Sequence, residues 1–186
     1  MKILSLQDLF LADQRVLLRV DFNVPLQKNG IITDDTRIKL TIPSIEYIIS
    51  QRSKLILLSH LGRPKGTVNP PSSLSPCARR LSQLIHRTVT VAPDCIGKEV
   101  YQIVQKMNPC DIVLLENLRF HEEEESPTSG GFASCLAELD DCYVNDAFAA
   151  SHRAHSSITL LSYSISRESG RWIPIRKRDR GSFSSY

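Results

Sequence analysis

Short apolar runs recur along the chain at residues 16–20, 54–59, 88–92, 111–115 and 142–144, and each gives way to polar residues. The runs are nearly continuous rather than alternating, as expected of strands covered on both faces. Between them, residues 39–51, 76–86, 97–107 and 131–139 carry apolar side chains three and four apart, the helical period. Strand and helix therefore alternate, which predicts an α/β fold. The expected architecture is a three-layer, Rossmann-like, mostly parallel sheet flanked by helices, forming a single truncated domain.

In open α/β sheets, ligands bind outside the carboxyl ends of the strands. Four of the five runs end there in polar residues: Asp21 and Asn23, His60 and Arg63, Glu116, Asn117 and Arg119, and Asn145 and Asp146. One such ending is equally well read as a solvated loop. Four together predict the rim of a site. In an extended chain Arg19, Asp21 and Asn23 leave one face of the first strand. Arg37 follows the acidic turn 33–36, and Arg153 lies a few residues beyond the last strand. Arginine forks bind phosphate or carboxylate oxygens in pairs, so the implied ligand is a small anion with more than one negative group. Asp21 then accepts a hydroxyl proton and Asn23 both donates and accepts. Alternatively, Asp21 is the counterion of Arg19.

The net charge of +3 is unevenly placed. Residues 1–158 hold 17 Lys/Arg against 18 Asp/Glu, whereas 159–186 hold six against two. The main body is thus no nucleic-acid binder. The Ser/Arg-rich end, 159–186, is predicted to be a disordered basic tail. Five cysteines without a Cys-x-x-Cys pair indicate free thiols in a reducing compartment. No run is long enough to span a membrane, and Asp8 and Asp13 interrupt the apolar N-terminus, so a cytoplasmic protein is expected. The sequence lacks Gly-x-x-x-x-Gly-Lys-[Ser/Thr], Gly-x-Gly-x-x-Gly and Gly-x-Ser-x-Gly patterns. His152, His155 and Cys142 lack companions at zinc spacing, so no metal site is expected. The acidic run Glu122–Glu125 reads as a solvated helix start.

Four stretches carry a more specific signal. Arg19-Val-Asp-Phe-Asn-Val-Pro25, Ser59-His-Leu-Gly-Arg-Pro64, Leu115-Glu-Asn-Leu-Arg-Phe120, and Tyr143-Val-Asn-Asp-Ala-Phe148 with Ser151-His-Arg-Ala-His155 resemble the N-terminal domain of phosphoglycerate kinases. They occur in that family's order, and the resemblance covers residues 1–158. It implies a usually monomeric, two-domain glycolytic kinase that moves a phosphoryl group between 1,3-bisphosphoglycerate and ADP, yielding 3-phosphoglycerate and ATP with magnesium. By resemblance, Asp21 and Asn23 contact the glycerate of 3-phosphoglycerate or 1,3-bisphosphoglycerate. Arg37, His60, Arg63, Arg119 and Arg153 would form the basic patch that holds its anionic groups. Arg37 is similar to the family arginine with a catalytic role at the transferring phosphoryl. Arg19, His152 and His155 match further patch positions.

Beyond Ile158 the motifs stop, and the family's glycine-rich nucleotide-binding sequences do not follow. Such a break resembles a truncated or frame-shifted reading of a longer gene. Mg-ATP or Mg-ADP is accordingly not expected to bind this chain tightly. Ala149 stands where the family usually has glycine, which would strain the loop before Arg153 if that position needs positive φ. Three readings stay open. The chain is a phosphoglycerate-binding half unable to transfer phosphoryl alone, a half-enzyme completed by a separate nucleotide-binding domain, or a non-catalytic binding protein acting through its basic tail.

Overall fold

In a computed structural model that describes residues 6–27, 29–126, 131–147 and 155–160, the five apolar runs form one parallel sheet. Its strands are β1 (Arg15–Arg19), β2 (Lys54–Leu58), β3 (Thr90–Val91), β4 (Ile112–Leu114) and β5 (Cys142–Asn145). They lie in the order β3-β4-β2-β1-β5, every neighbouring pair parallel. The register pairs Arg19 with Leu58 on one side and with Asn145 on the other. All strand ends therefore reach the same edge of the sheet, and the loops that follow them emerge together.

Period-two alternation sends successive strand residues to opposite faces, and each face meets a different helix pair. Val16, Leu18, Leu55, Leu57, Leu114 and Val144 pack on α1 (Thr36–Ser50) and α2 (Ser75–Ile85). Leu17, Ile56, Leu58, Val113 and Tyr143 pack on α3 (Lys98–Gln105) and α4 (Gly131–Ala137). Ile38, Ile45 and Ile48 show the matching helical spacing on α1. The predicted three layers are what the chain forms. Burial of each such side chain is worth about 1.5–3 kcal/mol, so the two apolar layers together hold the sheet's edge in place. The cysteines are all free thiols, and burial pushes Cys77 up to about 12.

One helix boundary differs from expectation. Helix α1 starts at Thr36 rather than residue 39, which puts Arg37 in its first turn. That turn is held by polar contacts that apolar periodicity does not register. The Asp34 carboxylate accepts from the Thr36 N–H at 2.8 Å, and Asp35 pairs with Lys39 at 2.8 Å and Arg80 at 2.7 Å. A π-helical turn, Ser156–Leu160, spans the expected boundary at residue 158. Residues 161–186, where the tail was expected, lie outside the described residues.

The turn before β5 holds two adjacent acids with opposite fates. Asp141 receives Arg15 through the backbone N–H at 2.9 Å, Nε at 3.2 Å and Nη2 at 2.6 Å, and that guanidinium holds its carboxyl below the usual range. Both carboxylate oxygens of Asp140 are shut off from solvent with no hydrogen-bond partner among the described residues. Burial, then the charge of Asp141, pushes the Asp140 carboxyl well above its ordinary value. The unfolded chain ionises first as pH rises, so this group lowers stability progressively above about pH 4. Asp140→Asn should stabilise the protein by on the order of 1–3 kcal/mol near neutral pH. The gain should vanish at about pH 3, where both states are protonated. Chemical denaturation of both proteins at the two pH values measures the difference.

Candidate anion-binding site at the carboxyl edge of the sheet

Past β1 the chain stays extended, and Val20, Phe22 and Val24 turn into the core while Asp21 and Asn23 remain half-buried. Ser59, at the end of β2, fastens this stretch. Its hydroxyl accepts from the Phe22 N–H at 2.9 Å and donates to the Val20 carbonyl at 3.0 Å. Asp21 forms an ion pair with Arg37, whose side chain is 47% exposed against 15% for Asp21. Asp21 is therefore not the counterion of Arg19; the reach of Arg37 from the first turn of α1 takes it.

Asn23 reaches across to the loop after β2, where its Oδ1 accepts from the Gly62 N–H at 2.9 Å. Gly62 has φ +65°, a left-handed conformation that glycine adopts without Cβ strain. Its carbonyl accepts from Arg119 Nη1 at 2.8 Å. Asn23, Gly62 and Arg119 thus tie together the ends of β1, β2 and β4. The Arg119 side chain is 4% exposed, and its Nη2 pairs with Glu125 at 3.0 Å, so both arms of its fork are oriented by protein partners. Arg63 follows Gly62 and is exposed. Asn145 and Asp146 close the β5 side: Asn145 caps the Ala147 N–H at 3.0 Å, and Asp146 accepts from Ser44 of α1 at 2.9 Å.

Glu116 and Asn117, which the sequence places on the rim, act as clasps. Asn117 is fully buried and donates to the carbonyls of Leu61 at 2.7 Å and Ser72 at 2.8 Å, while its Oδ1 accepts from the Arg119 N–H at 3.1 Å. The Glu116 carboxylate accepts from the Leu74 N–H at 2.8 Å and the Ser73 hydroxyl at 2.7 Å. Together they shape the Gly62 loop and seat the start of α2.

Beneath the rim lies a buried ionic cluster that the sequence did not disclose. Arg19 has no exposed surface. Its Nε donates to Ser157 Oγ at 3.1 Å, Nη1 to the carbonyls of Val20 at 3.0 Å and Leu58 at 3.3 Å, and Nη2 faces His60 Nδ1 at 3.2 Å. Glu124, equally buried, lies 3.8 Å from Arg19 and 3.6 Å from His155, electrostatic contacts rather than hydrogen bonds. It accepts from Ser157 through the backbone N–H at 2.9 Å and the hydroxyl at 2.7 Å. The expectation of a solvated helix start at 122–125 therefore fails at Glu124. The run forms a single 3-10 turn, Glu122–Glu124, whose last side chain points inward to meet Arg19. Composition cannot single out which of four adjacent glutamates is buried; only the presence of an arginine inside an aliphatic strand hinted that some acid must be. Arg19 and His155 accordingly sit below the rim. His152, Arg153 and Ala149 lie outside the described residues.

Asp94, Cys95 and His121 also meet, with one donor atom from each within 4.8 Å of the others. Those donor types suit a soft divalent cation. Here, however, Asp94 and His121 satisfy each other at 2.7 Å, and burial drives the Cys95 thiol well above its ordinary range. An open hollow of about 610 Å³ between the 30–35 turn and α2 carries Lys39, Arg79 and Arg80 with Asp34 and Asp35, a mixed-charge lining that shares no residue with the rim just described. No helix among the described residues is long and apolar enough to cross a membrane.

The sequence model described as "Phosphoglycerate kinase" matches residues 6–174, a span that runs past residue 158. The chain is 54% identical over 159 residues to a phosphoglycerate kinase of Chlorobaculum tepidum, covering 86% of this chain and 40% of that protein. It is 50% identical over 157 residues to one from Aquifex aeolicus, covering 84% and 39%. Among solved structures, phosphoglycerate kinase from Pyrococcus horikoshii superposes with a TM-score of 0.79 at 29% identity, over 91% of this chain and 42% of that one. The structure from Coxiella burnetii gives 0.75 at 36% identity, over 87% and 39%. The chain thus spans about two fifths of the length of the proteins it matches.

The clasp role of Asn117 has a measurable consequence. Asn117→Ala removes three hydrogen bonds and leaves the buried Leu61 carbonyl and the half-buried Ser72 carbonyl without this partner. A loss of roughly 2–3 kcal/mol is expected, since each buried group left unmade costs about 1–3 kcal/mol. Urea unfolding of the variant beside the parent chain gives that difference.

Proposed function

The chain belongs to the phosphoglycerate kinase family, and on that premise we propose that its strand-end rim binds 3-phosphoglycerate. The observation that carries this reading is the bond chain from Asn23 through Gly62 to Arg119, which presets cationic and amide groups from three strand ends before any ligand arrives. Arg63 and Arg119 are assigned to the anionic groups, with His60 beside them and Arg153 as a further cation from its loop. Asp21 and Asn23 take the hydroxyl and carboxylate of the glycerate, an acceptor and a two-way amide for a substrate that offers both needs.

Arg37 has a different part in this reading. It is half-exposed and, among the described residues, is tethered by Asp21, so it can leave that partner for charge that develops on a transferring phosphoryl. Cations aimed at such charge lower the barrier rather than tighten the ground state. Transfer between 1,3-bisphosphoglycerate and Mg-ADP also needs a nucleotide-binding part. In our reading that part lies outside these 186 residues, in the remaining length of such a kinase or in a separate chain. The 186-residue chain is then a substrate-binding half.

Titration calorimetry of the chain with 3-phosphoglycerate tests this directly. Binding is expected, and a coupled assay with ATP on the same preparation should show no turnover. Hydrogen bonds to charged groups are worth about 1.5–3 kcal/mol, so Arg63→Ala should weaken binding by roughly 10- to 100-fold. This exposed position is the cleaner choice, because Arg119 also supports the Gly62 loop. Arg37→Ala should cost less than tenfold. A folded chain that fails to bind would overturn the site, and turnover without a second protein would overturn the division of labour.

A further inference from the structure

The buried cluster under the rim determines more than stability, because it dictates where the hydrogen sits on His60. A guanidinium offers only donors. Arg19 Nη2 lies 3.2 Å from His60 Nδ1, so Nδ1 must be the acceptor and the ring's hydrogen must be on Nε2. Arg19 cannot turn to relieve the contact. Its Nε is engaged by Ser157, and its Nη1 by two backbone carbonyls at the ends of β1 and β2.

What keeps Arg19 in that pose is Glu124 with Ser157. The two Glu124 oxygens each take a hydrogen from Ser157, and Ser157 Oγ in turn accepts from Arg19 Nε. Tyr143 on β5 donates to the Ser157 carbonyl at 2.7 Å, which anchors the same residue from the sheet side. Burial alone would raise the Glu124 carboxyl, but His155, Arg19 and Ser157 outweigh it and hold its pKa below the ordinary value. The cluster therefore contains a true anion facing a true cation, sealed from water.

Resting on the reading that His60 belongs to the phosphoglycerate site, we propose that Glu124 and Arg19 are positioning residues that lock His60 in its Nε2–H tautomer. The imidazole then offers an N–H on the side away from Arg19. That suits an acceptor such as a phosphate or carboxylate oxygen and disfavours a ligand group that donates. Ser157 makes this dependent on the segment 155–160: where that turn is seated, the tautomer is set. The chemistry of the rim is thereby coupled to a buried stretch of chain beneath it.

The test uses the full 186-residue chain labelled with nitrogen-15. Long-range proton–nitrogen correlation spectra report the tautomer of each imidazole, with His60→Gln identifying the relevant signals. The parent chain is expected to show His60 as the Nε2–H form. Glu124→Gln keeps the shape and removes the charge; if it folds, checked by circular dichroism, it should mix the tautomers and weaken 3-phosphoglycerate binding about tenfold. Ser157→Ala supplies the same readout at a position that removes no charge, should Glu124→Gln unfold. An Nδ1–H or fully averaged His60 in the parent chain would overturn the proposal, as would folded variants with unchanged spectra and affinity. A parent chain with the expected tautomer but no affinity for 3-phosphoglycerate would support the lock while removing the assigned ligand, so the two ideas fail separately.

Discussion

A guanidinium enclosed in an aliphatic sheet must find every partner within the protein, and much of this molecule's upper edge is arranged around that requirement. Arg19 ends β1 between Leu58 of β2 and Asn145 of β5, with no surface exposed to solvent. Two strand-end carbonyls, a serine, an imidazole and a carboxylate do so instead. Pairs of this kind are not reliably stabilising overall, since desolvation can cancel the attraction. Removing one partner, however, strands the other, at a cost of about 3–5 kcal/mol. That asymmetry makes the cluster a specifier of geometry: the 3-10 turn at Glu122–Glu124, the end of β1 and the turn at Ser156–Leu160 can coexist only in one mutual arrangement.

Above that cluster, the rim is built chiefly from backbone and amide contacts. Asn23 and Arg119 hold the two polar groups of Gly62, and Asn117 holds Leu61 and Ser72. The arginines that would face a ligand are thus carried on loops whose own hydrogen bonds are satisfied by neighbouring strand ends. This is preorganisation: the ordering entropy is spent when the protein folds, so less is lost when an anion binds. Arg37, half-exposed and paired with the Asp21 carboxylate, departs from this pattern.

The sheet, its helices and the polar strand endings were legible because burial on both faces leaves continuous apolar runs, and helix faces leave a 3.6-residue period. The start of α1 was not, since its first turn rests on Asp34, Asp35 and Arg80 rather than on apolar spacing. Asp21, Asn23, His60, Arg63 and Arg119 were marked by their place after strands, and the motifs around them pointed to one family. Their partners were another matter. The residue that holds Asp21 is 16 positions away, and His60, Glu124 and Ser157, which surround Arg19, lie 41, 105 and 138 positions away.

The layers, the parallel sense of the strands and the edge at which polar residues gather follow from periodicities that neighbours in the chain express. Only the tertiary structure decided which charge meets which. Four consecutive glutamates are chemically identical, yet just one, Glu124, turns inward, and it does so because the Arg19 guanidinium and Ser157 are already there to receive it. Pairing of charges is decided by a Coulomb energy that falls as the inverse of their separation in space and grows where water is excluded, and no spacing along the chain encodes that separation.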